Sequence, residues 1–439
     1  MSQSLFLDLE SRGIIKQVAE RSSLTPHEPG HGGLAGRLSR GPITLYCGFD
    51  PTSDSLHVGS LLPLLTLRRF QKAGHRVIAV VGGATGMIGD PSGKSQERSL
   101  LTQETLDRNV AGITHAISKF LNLSGPNPAL VLNNYDWFKG ISYIQFLREI
   151  GKHFTVNHML AKESVRARLE DREHGISYTE FSYMLLQAYD FWHLHKSHGC
   201  ELQIGGSDQW GNITVGIDLI HKIEGHEAAA FGLTHPLVTK SDGTKFGKTE
   251  GGSVWIDPKK TSPYDFYQFF MQTADADVLT YLSYFTELTH SELQSLATAL
   301  KSAPEAREAQ KRLARELTAL VHGQTELEKV EGATQALFGA DLKTLDAGAL
   351  KAAFSSAPLF KKEHSALGTW NLVDALYESG LCGSKSMARK DIQSGGIYLN
   401  NERVSDVALV LKPEHVLAGG WVILRKGKKT YQVIEVQRT

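Results

Sequence analysis

The chain has 439 residues, of which 41% are hydrophobic and 21% are charged, so it is long enough for two or three globular domains. Lys and Arg together number 47, as do Asp and Glu. This balance excludes a strong global field for nucleic acid but leaves room for a local basic surface. Three cysteines, far apart and without a C-x-x-C pair, argue against a disulfide framework or a cysteine zinc site and favour a reducing, cytoplasmic location. No apolar run is long enough to span a bilayer, so we expect no membrane association.

The first 250 residues alternate short apolar runs with helical patterns. "ITLYCGF" (43–49) is rich in β-forming residues, "LLPLLTLRRFQKAG" (61–74) spaces its leucines as a helix does, and "RVIAVVGG" (76–83) is almost wholly apolar. Strand, helix and strand of these lengths make a βαβ unit. The alternation continues with strands predicted at 129–134 and 200–206 and helices predicted at 141–154 and 178–197. We therefore predict a doubly wound, Rossmann-like α/β domain with a parallel sheet over residues 1–249.

The pattern changes twice beyond that domain. Residues 250–350 read as helices with few strand candidates, which predicts a helical domain. Residues 351–369 are looser and are assigned to a linker. Residues 370–439 combine helix patterns with short β runs, which predicts a small α+β domain. Residues 361–439 carry 12 Lys and Arg against 8 Asp and Glu, so this end of the chain is locally basic.

The first candidate site is "YCGFDPTSDSLHVGS" (46–60), where an apolar strand ends and a helix is about to begin. Ligands of open α/β sheets bind beyond the carboxyl ends of the strands, and a helix N-terminus directs N–H groups and a positive dipole at the same place. His57 can donate a hydrogen bond, and Gly59 allows a ligand close to the backbone. These features favour a nucleotide site. The alternative is that residues 54–55 simply cap a helix and that His57 lies on the surface.

A second glycine-rich loop, "GGATGMIGDPSGKS" (82–95), also follows a strand. It is not a Walker A loop, because three residues rather than four separate Gly89 from Gly93. Lys94 and Arg98 remain candidate phosphate contacts. The alternative is a charged loop that is simply solvated.

Two further segments supply polar groups suited to a small ligand. Tyr183, Gln187 and Asp190 fall on one face of the helix predicted from "YTEFSYMLLQAYDF", where they could form a pocket wall or only a solvated face. "QIGGSDQWGN" (203–212) places Asp208 after a strand and paired glycines, where a carboxylate commonly accepts a ribose hydroxyl.

The last candidate segment is "TKSDGTKFGKTEGG" (239–252), which sets lysines and threonines among glycines. A flexible basic loop of this kind can close on a polyphosphate and neutralise charge that grows during nucleotidyl transfer. Taken alone, such a segment is more typical of a solvated basic hairpin.

In this order and at these spacings, the segments together resemble the bacterial-type tyrosyl-tRNA synthetases, a family of class I aminoacyl-tRNA synthetases. The resemblance runs from about residue 40 to the C-terminus. "LHVGS" stands where the family has its His-x-Gly-His signature, and "KFGKT" stands where it has its Lys-Met-Ser-Lys-Ser loop. The last domain resembles a small RNA-binding fold first known from a ribosomal protein of the small subunit.

The resemblance implies a tyrosine–tRNA ligase. The tyrosine carboxylate attacks the α-phosphorus of ATP, pyrophosphate leaves, and the tyrosyl group passes to the 3′ end of the tRNA for tyrosine. ATP enters with Mg²⁺ as a substrate, and neither a tightly bound cofactor nor a protein metal site is implied. The family is homodimeric. Catalysis then consists of positioning and charge stabilisation, without a covalent enzyme intermediate.

The resemblance also assigns residues. Tyr46 and Asp190 meet the phenolic hydroxyl of the substrate. The full tyrosine pocket comprises Tyr46, Asp90, Tyr183, Gln187, Asp190 and Gln209. ATP or the adenylate is contacted by Cys47, Gly48, Asp50, His57, Gly59, Ser60, Gly206, Asp208 and Lys248. Charge on the phosphates is stabilised by Thr52, His57, Lys94, Arg98, Lys245, Lys248 and Thr249. Ser60 replaces the second histidine of the signature; it is shorter and never cationic, so the phosphate or ribose role of that position is in question.

Three alternatives share parts of this pattern. A tryptophan enzyme has the same fold, but the pair Tyr46 and Asp190 suits a hydroxyl that both donates and accepts, whereas an indole N–H needs only an acceptor. An RNA-binding protein that kept the fold and lost catalysis is disfavoured by the intact His57, Asp208 and signature lysines. A nucleotidyltransferase acting on lipid or cofactor precursors is disfavoured by the basic loop and the C-terminal domain.

Overall fold

The structure is a computed structural model, and it describes residues 2–20, 33–92, 101–170, 175–249, 252–337, 342–354, 357–427 and 430–437. Two compact units are present. One comprises residues 1–261 and 272–313, and the other comprises residues 262–271 and 314–439. The domain limits predicted from composition stay a prediction, because compact units defined by packing need not coincide with domains.

The first unit is built on a six-stranded sheet. Its strands are β1 (Gln17–Ala19), β2 (Thr44–Phe49), β3 (Arg76–Val81), β4 (Leu130–Asn133), β5 (Cys200–Gly206) and β6 (Phe231–His235). The order across the sheet is β1-β6-β5-β2-β3-β4; β1 is antiparallel to β6, and the other neighbouring pairs are parallel. The predicted doubly wound α/β class is confirmed. Strands β2 and β3 are buried along almost their whole length, which explains why they read as continuous apolar runs.

The helices that alternate with these strands largely follow the predicted pattern. They are α1 (Ser2–Ser11), α2 (Gly33–Ser39), α3 (Leu61–Lys72), α4 (Thr85–Ile88), α5 (Gln103–Ser118), α6 (Tyr135–Phe138), α7 (Tyr143–Glu149), α8 (Val156–Leu160), α9 (Glu163–Glu170), α10 (Tyr178–His198) and α11 (Trp210–Glu224). Helix α10 begins where the Ser177 side chain accepts from the Glu180 N–H, and it ends at Gly199 in the left-handed conformation. The helix predicted over 141–154 is shorter, because α7 ends at Glu149 and a separate 3₁₀ turn follows.

Strands β1 and β6 were not predicted. The β6 sequence, "FGLTH", is fully buried although it contains a glycine, a threonine and a histidine. Apolar periodicity is weak in so short and mixed a stretch, so only its pairing with β5 and β1 reveals the strand.

Between residues 252 and 353 the described chain is mostly helical, as the pattern over residues 250–350 predicts. The basic segment contains a short hairpin of β7 (Lys248–Thr249) and β8 (Gly252–Ser253). The helices that follow are α12 (Pro263–Met271), α13 (Asp275–Phe285), α14 (His290–Ser302), α15 (Glu308–His322), α16 (Gln324–Leu337) and α17 (Ala347–Ala353). No helix in the described ranges combines the length and the apolar character that a bilayer crossing requires.

Helix α13 is held at its C-terminus by two buried arginines of the first unit. Arg69 of α3 donates to the carbonyls of Tyr284 (2.9 Å) and Thr286 (2.7 Å), and Arg12 donates to the carbonyl of Leu288 (2.8 Å). A helix C-terminus leaves carbonyl groups without intrahelical partners, and the guanidinium groups satisfy them. Burial lowers the pKa of Arg69 to about 10, so it stays charged at neutral pH.

The second unit contains a five-stranded sheet of order β11-β10-β12-β13-β9. Its strands are β9 (Leu359–Glu363), β10 (Ile397–Leu399), β11 (Glu402–Val404), β12 (Trp421–Lys426) and β13 (Thr430–Gln437), and its last two helices are α18 (Leu372–Glu378) and α19 (Lys385–Gln393). Strand β9 lies in the predicted linker and pairs in parallel with β13. Its sequence, "LFKKE", alternates exposed and half-buried side chains. Regular structure therefore continues where the sequence pattern predicted a linker.

Candidate active site

A cavity of about 780 Å³ opens at the carboxyl ends of β2, β5 and β6. The predicted residues that line it are Tyr46, Cys47, Gly48, Asp50, Thr52, His57, Gly59, Ser60, Asp90, Tyr183, Gln187, Asp190, Gly206, Asp208, Gln209, Lys245 and Lys248. The structure thus brings together residues that are up to about 200 positions apart in the sequence. The side chain of Thr249, in β7, lies outside the described part of the chain, as do Lys94 and Arg98.

Tyr46 and Asp190 form the most buried part of this cavity. The Tyr46 side chain is 2% exposed, packs on Phe191 with ring centroids 5.5 Å apart, and has no hydrogen-bond partner for its hydroxyl within the described ranges. Asp190 accepts hydrogen bonds from Trp137 Nε1 (2.8 Å) and Asn134 Nδ2 (3.1 Å). A buried hydroxyl without a partner is costly, so this part of the cavity suits a ligand that supplies one.

The environment of these two residues sets their protonation. Burial raises the pKa of Asp190 to about 7, although the donors Asn134 and Trp137 favour its ionised form. Burial, together with the charge of Asp190, raises the pKa of the Tyr46 phenol well above its usual value. Near neutral pH the pair is therefore a neutral phenol beside a carboxyl group that is partly ionised.

A second polar cluster joins helix α10 to the end of β2. The Tyr183 hydroxyl donates to Asp50 Oδ2 (2.8 Å), and the Thr85 hydroxyl donates to Asp50 Oδ1 (2.8 Å). Burial and the neighbouring carboxylates raise the pKa of the Tyr183 phenol well above its usual value, so it remains a donor. Asp50 and Tyr183 were predicted in separate roles, for ATP and for tyrosine, and the structure places them in direct contact.

Asp90 is the centre of a third cluster. It accepts from the Ser92 N–H (2.9 Å) and from Gln209 Nε2 (2.7 Å). Asn212 Nδ2 lies 3.2 Å from both Gln187 Oε1 and Gln209 Oε1. Asp90, Gln187 and Gln209 were each predicted to bind tyrosine. They are connected to one another through Asn212, which fixes the direction in which each presents its oxygen atoms.

The start of the helix at the signature segment differs from the sequence-based expectation that residues 54–55 cap it. His57, not Asp54 or Ser55, caps the 3₁₀ turn at Val58–Ser60, because its Nδ1 accepts from the Gly59 N–H (3.0 Å). A Cβ atom on Gly59 would lie 2.7 Å from the imidazole, so glycine is required for this contact. Helix α3 follows at Leu61, with Pro63 in its first turn, where proline is tolerated.

The basic loop is anchored by an aromatic residue between its lysines. Phe246 is buried against Tyr281 and Phe285 of α13, with ring centroids 4.7 and 5.3 Å apart. Gly247 follows with φ = 78°, and a Cβ atom there would press on Val58. Because the loop is fixed at Phe246, the flanking residues Lys245 and Lys248 both reach the cavity.

Helix α13 also holds the start of this loop by polar contacts. The Tyr281 hydroxyl donates to the Thr239 carbonyl (2.9 Å), and the Ser241 N–H and hydroxyl both donate to Asp277 Oδ2 (3.2 Å each). The loop is therefore supported from Thr239 to Phe246 by a helix that lies beyond the predicted catalytic domain.

The cavity lining carries charged side chains of both signs. Asp50 and Asp90 are carboxylates that suit an ammonium group, and Lys245 and Lys248 are cations that suit phosphate. Cys47 of β2 lines the cavity, and burial raises the pKa of its thiol to about 12, so it is protonated and a poor nucleophile. The arrangement favours positioning and charge stabilisation over covalent catalysis.

Sequence reasoning missed several residues that orient the predicted ones. They are Thr85, Ser92, Asn134, Trp137 and Asn212, and Gln203 is a further cavity residue that was missed. Gln203 lines the cavity and is 2% exposed, with an Oε1 that has no partner within the described ranges. Asn134 follows β4 directly, so its position at a strand end was a usable signal. Trp137 and Asn212 lie within helices and gave no signal.

Comparison with known proteins identifies the family. Residues 38–339 match the family model for tRNA synthetases class I (W and Y), and residues 349–434 match the model for the tyrosine–tRNA ligase SYY-like C-terminal domain. The tyrosine–tRNA ligase of Geobacillus kaustophilus is 52% identical over 431 residues, which are 98% of this chain and 99% of that relative. Tyrosine–tRNA ligase 1 of Bacillus subtilis is 50% identical over 432 residues, again 98% of this chain and 99% of the relative.

A solved structure agrees with these matches. A C-terminally truncated mitochondrial tyrosyl-tRNA synthetase from Aspergillus nidulans has a TM-score of 0.66 and 30% sequence identity, covering 76% of this chain and 94% of that chain. The resemblance predicted from the sequence motifs is thereby confirmed, and the C-terminal match together with the full-length relatives favours the tyrosine type over the tryptophan type. The chain therefore belongs to the class I tRNA synthetases of the tryptophan and tyrosine type, and it carries the C-terminal domain of the tyrosine–tRNA ligases.

Proposed function

We propose that this cavity carries out the tyrosine–tRNA ligase reaction of its family, in which tyrosine and ATP give tyrosyl-adenylate and pyrophosphate and the tyrosyl group then passes to tRNA. The observation that supports it most strongly is the buried Tyr46 hydroxyl beside the Asp190 carboxylate. A phenolic hydroxyl both donates and accepts, so the substrate can accept from Tyr46 and donate to Asp190.

The other clusters supply the remaining tyrosine contacts. Asp90, Tyr183 and Gln187 hold the substrate ammonium group, and Asp50, through its contact with Tyr183, adds negative charge at the same end. Gln209 lies near the substrate carboxylate while its amide nitrogen is held by Asp90. With tyrosine bound in this way, its carboxylate points toward Lys245 and Lys248, where ATP binds.

The nucleotide binds in the part of the cavity that Lys245 and Lys248 line. Cys47, Gly206 and Asp208 contact the ribose, with Gly48, Gly59 and Ser60 beside them, and Thr52 and His57 meet the phosphates. ATP carries Mg²⁺ mainly on its own phosphates. As the new bond forms between the tyrosine carboxylate and the α-phosphorus, the bond to the pyrophosphate oxygen breaks. Negative charge then grows on the departing pyrophosphate, where Lys245 and Lys248 stabilise it. Lys94, Arg98 and Thr249 take the same role by resemblance to the family.

Tyrosine-dependent exchange of pyrophosphate into ATP tests this function. The expected result is exchange with tyrosine and much slower exchange with tryptophan or phenylalanine, since each of these leaves Tyr46 or Asp190 without its partner. Folded protein that catalyses no tyrosine-stimulated exchange would refute the proposal.

Tyrosine binding is expected to depend on pH. Because the pKa of Asp190 is raised to about 7, its carboxyl group is mostly protonated at pH 6 and mostly ionised at pH 8. The ionised form accepts a charge-assisted hydrogen bond from the substrate hydroxyl, which is stronger than the bond to a protonated carboxyl group. The dissociation constant for tyrosine should therefore be about tenfold larger at pH 6 than at pH 8. Equilibrium dialysis between these limits checks this, and a flat profile would contradict the protonation state assigned to Asp190.

We propose that the basic C-terminal domain, residues 370–439, binds tRNA by contacts to the tRNA phosphates. Arg389 and Lys390 are exposed on α19. Replacing both by Glu should lower tRNA charging at limiting tRNA by more than about tenfold and leave pyrophosphate exchange unchanged, because phosphate contacts dominate such affinities. Lys119→Glu, at an exposed lysine in the first unit, is the matched control. Equal charging by the double variant and the control would count against an RNA role for this face of the domain.

We also propose that two copies of the chain form a homodimer, as in the family. Exposed large apolar side chains are frequent between residues 135 and 178 of the first unit; they include Tyr135, Tyr143, Ile144, Leu147, Val156, Leu160 and Tyr178. Exposed apolar side chains in such number favour a protein interface. Ile144→Asp should shift sedimentation equilibrium toward the monomer, whereas Leu7→Asp, at an exposed leucine elsewhere, should not. A fully dimeric Ile144→Asp variant would place the interface elsewhere.

A cytoplasmic location is proposed on the basis of cysteine chemistry. All three cysteines, Cys47, Cys200 and Cys382, are buried and unpaired, as a reducing compartment permits. Cell fractionation that finds the protein with the translation machinery is the expected result.

A further inference from the structure

The chain that returns from the basic loop is bound to the signature segment by a short backbone ladder. The Val58 N–H donates to the Val254 carbonyl (2.9 Å), and the Ile256 N–H donates to the Leu56 carbonyl (3.1 Å). Between these bonds, His57 and Trp255 stand opposite each other as an antiparallel bridge pair. The signature segment and the chain that leaves the basic loop, about 190 positions apart in the sequence, are thus joined by backbone hydrogen bonds.

Side chains reinforce this ladder on the cavity side. The Trp255 indole meets the His57 imidazole edge to face, with ring centroids 6.1 Å apart and planes at 70°, and both residues line the cavity. The ammonium of Lys260 lies 4.6 Å from the centroid of the Trp255 ring. Lys260 also forms an ion pair with Asp54 and a hydrogen bond to the Ser53 hydroxyl (3.3 Å). A continuous line of contacts therefore runs from Asp54 through Lys260 and Trp255 to His57.

These contacts restrict His57 from two sides. Its Nδ1 is held by the Gly59 N–H, which fixes the ring at one edge. The Trp255 indole packs against the ring and limits its rotation. Lys260 is held over the indole by Asp54, so the position of Trp255 does not depend on packing alone.

We propose that Trp255, held in place by the Lys260–Asp54 ion pair, is a positioning residue that fixes the His57 imidazole for the phosphates of ATP. Trp255 thereby also couples the basic loop to the signature segment that precedes helix α3. This inference rests on the proposed function, in which His57 meets the phosphates. It adds a residue and an ion pair, outside both sequence motifs, on which the rate of adenylate formation depends.

The Asp54–Lys260 ion pair is expected to affect the rate of adenylate formation but not the stability of the fold. Asp54 and Lys260 side chains are 38% and 29% exposed, and ion pairs of such exposure contribute little to folding. Their effect is expected in the geometry of His57, where a small displacement of a reacting contact lowers the rate. Loss of the pair should therefore change the rate without changing the melting temperature.

Single-turnover formation of tyrosyl-adenylate tests the proposal. Trp255→Leu should lower the rate roughly tenfold with an unchanged dissociation constant for tyrosine, the scale expected for a small displacement. Trp255→Phe, which keeps an aromatic ring, should recover most of that loss. Lys260→Met should lower the rate by roughly threefold, whereas Lys259→Met, at the adjacent exposed lysine, should match the wild type.

A double mutant that combines Trp255→Leu with His57→Asn shows whether Trp255 acts through His57. His57→Asn keeps an acceptor that can cap the turn but removes the ring. In that background, Trp255→Leu should change the rate by less than about twofold, because residues that act as one unit are not additive. A full tenfold effect there, a wild-type rate in Trp255→Leu, or equal rates in the two lysine variants would overturn the inference. Absence of exchange in the wild type would instead refute the proposed function.

Discussion

Replacing Asp190 by Asn is expected to lower kcat/KM for tyrosine in pyrophosphate exchange by roughly 10³-fold, the scale for removing a charged partner from a buried hydrogen-bond network. Trp137 and Asn134 both donate to this side chain. An asparagine amide presents an NH₂ group in place of one carboxylate oxygen, so one of these donors would face another donor. The variant also loses the negative charge that strengthens the hydrogen bond from the substrate hydroxyl.

The comparison that makes this prediction specific uses two other variants. Tyr46→Phe removes the unpartnered hydroxyl and should weaken tyrosine activation less than Asp190→Asn, because no buried donor is left facing another donor. Asp136→Asn, at an exposed aspartate paired with Lys139, should behave as the wild type. If Asp190→Asn kept the wild-type rate and its discrimination against phenylalanine, the assignment of the phenol pocket would be wrong.

The second large effect is expected at the basic loop. Lys248→Ala should lower the rate of adenylate formation by roughly 10²–10³-fold, the scale for losing one preorganised group that stabilises developing charge. The Lys248 ammonium is already oriented by the Ser253 hydroxyl (2.8 Å), and the loop is fixed at Phe246. Because its interaction strengthens as pyrophosphate departs, the dissociation constant for tyrosine should change little.

Stopped-flow measurement of adenylate formation distinguishes rate from affinity. Lys240→Ala is the matched control, since Lys240 belongs to the same loop and its ammonium reaches the Lys248 carbonyl rather than the cavity. A variant at Lys248 that lost tyrosine affinity at an unchanged rate would contradict the transition-state role.

The parts of the fold that the sequence predicts are those with a strong local pattern. Strands β2 and β3 are buried on both faces, so their apolar runs are unmistakable. Helix α10 has a serine cap, a glycine stop and 21 residues between them, and its predicted face of Tyr183, Gln187 and Asp190 does line the cavity. Strand β6 has no such pattern, because its polar Thr234 and His235 are buried by neighbouring strands rather than exposed. Pairing across the sheet is invisible in the sequence.

The same distinction holds for the candidate site. A general rule that places ligands at the carboxyl ends of parallel strands points to residues 46–50 and Asp208, and the family resemblance supplies the individual roles of the site residues. Trp137 lies 53 positions from its partner Asp190, and Tyr183 lies 133 positions from Asp50. No local pattern links residues so distant, so their contacts follow only from the folded chain. The roles of all the predicted site residues stay predictions from the family resemblance, including those of Lys94, Arg98 and Thr249.

Helix α13 has a consequence for dissecting this protein into fragments. The helix supports the basic loop through Asp277, Tyr281 and Phe285, and its own C-terminus is held by Arg69 of α3. A fragment that stopped at residue 249 would keep both sequence motifs but would expose Phe246. It would also leave Arg12 and Arg69 without their carbonyl partners at Tyr284, Thr286 and Leu288. The smallest fragment able to form the adenylate therefore extends past Leu288, and a chain split into two pieces before that point would need reassembly to regain its chemistry.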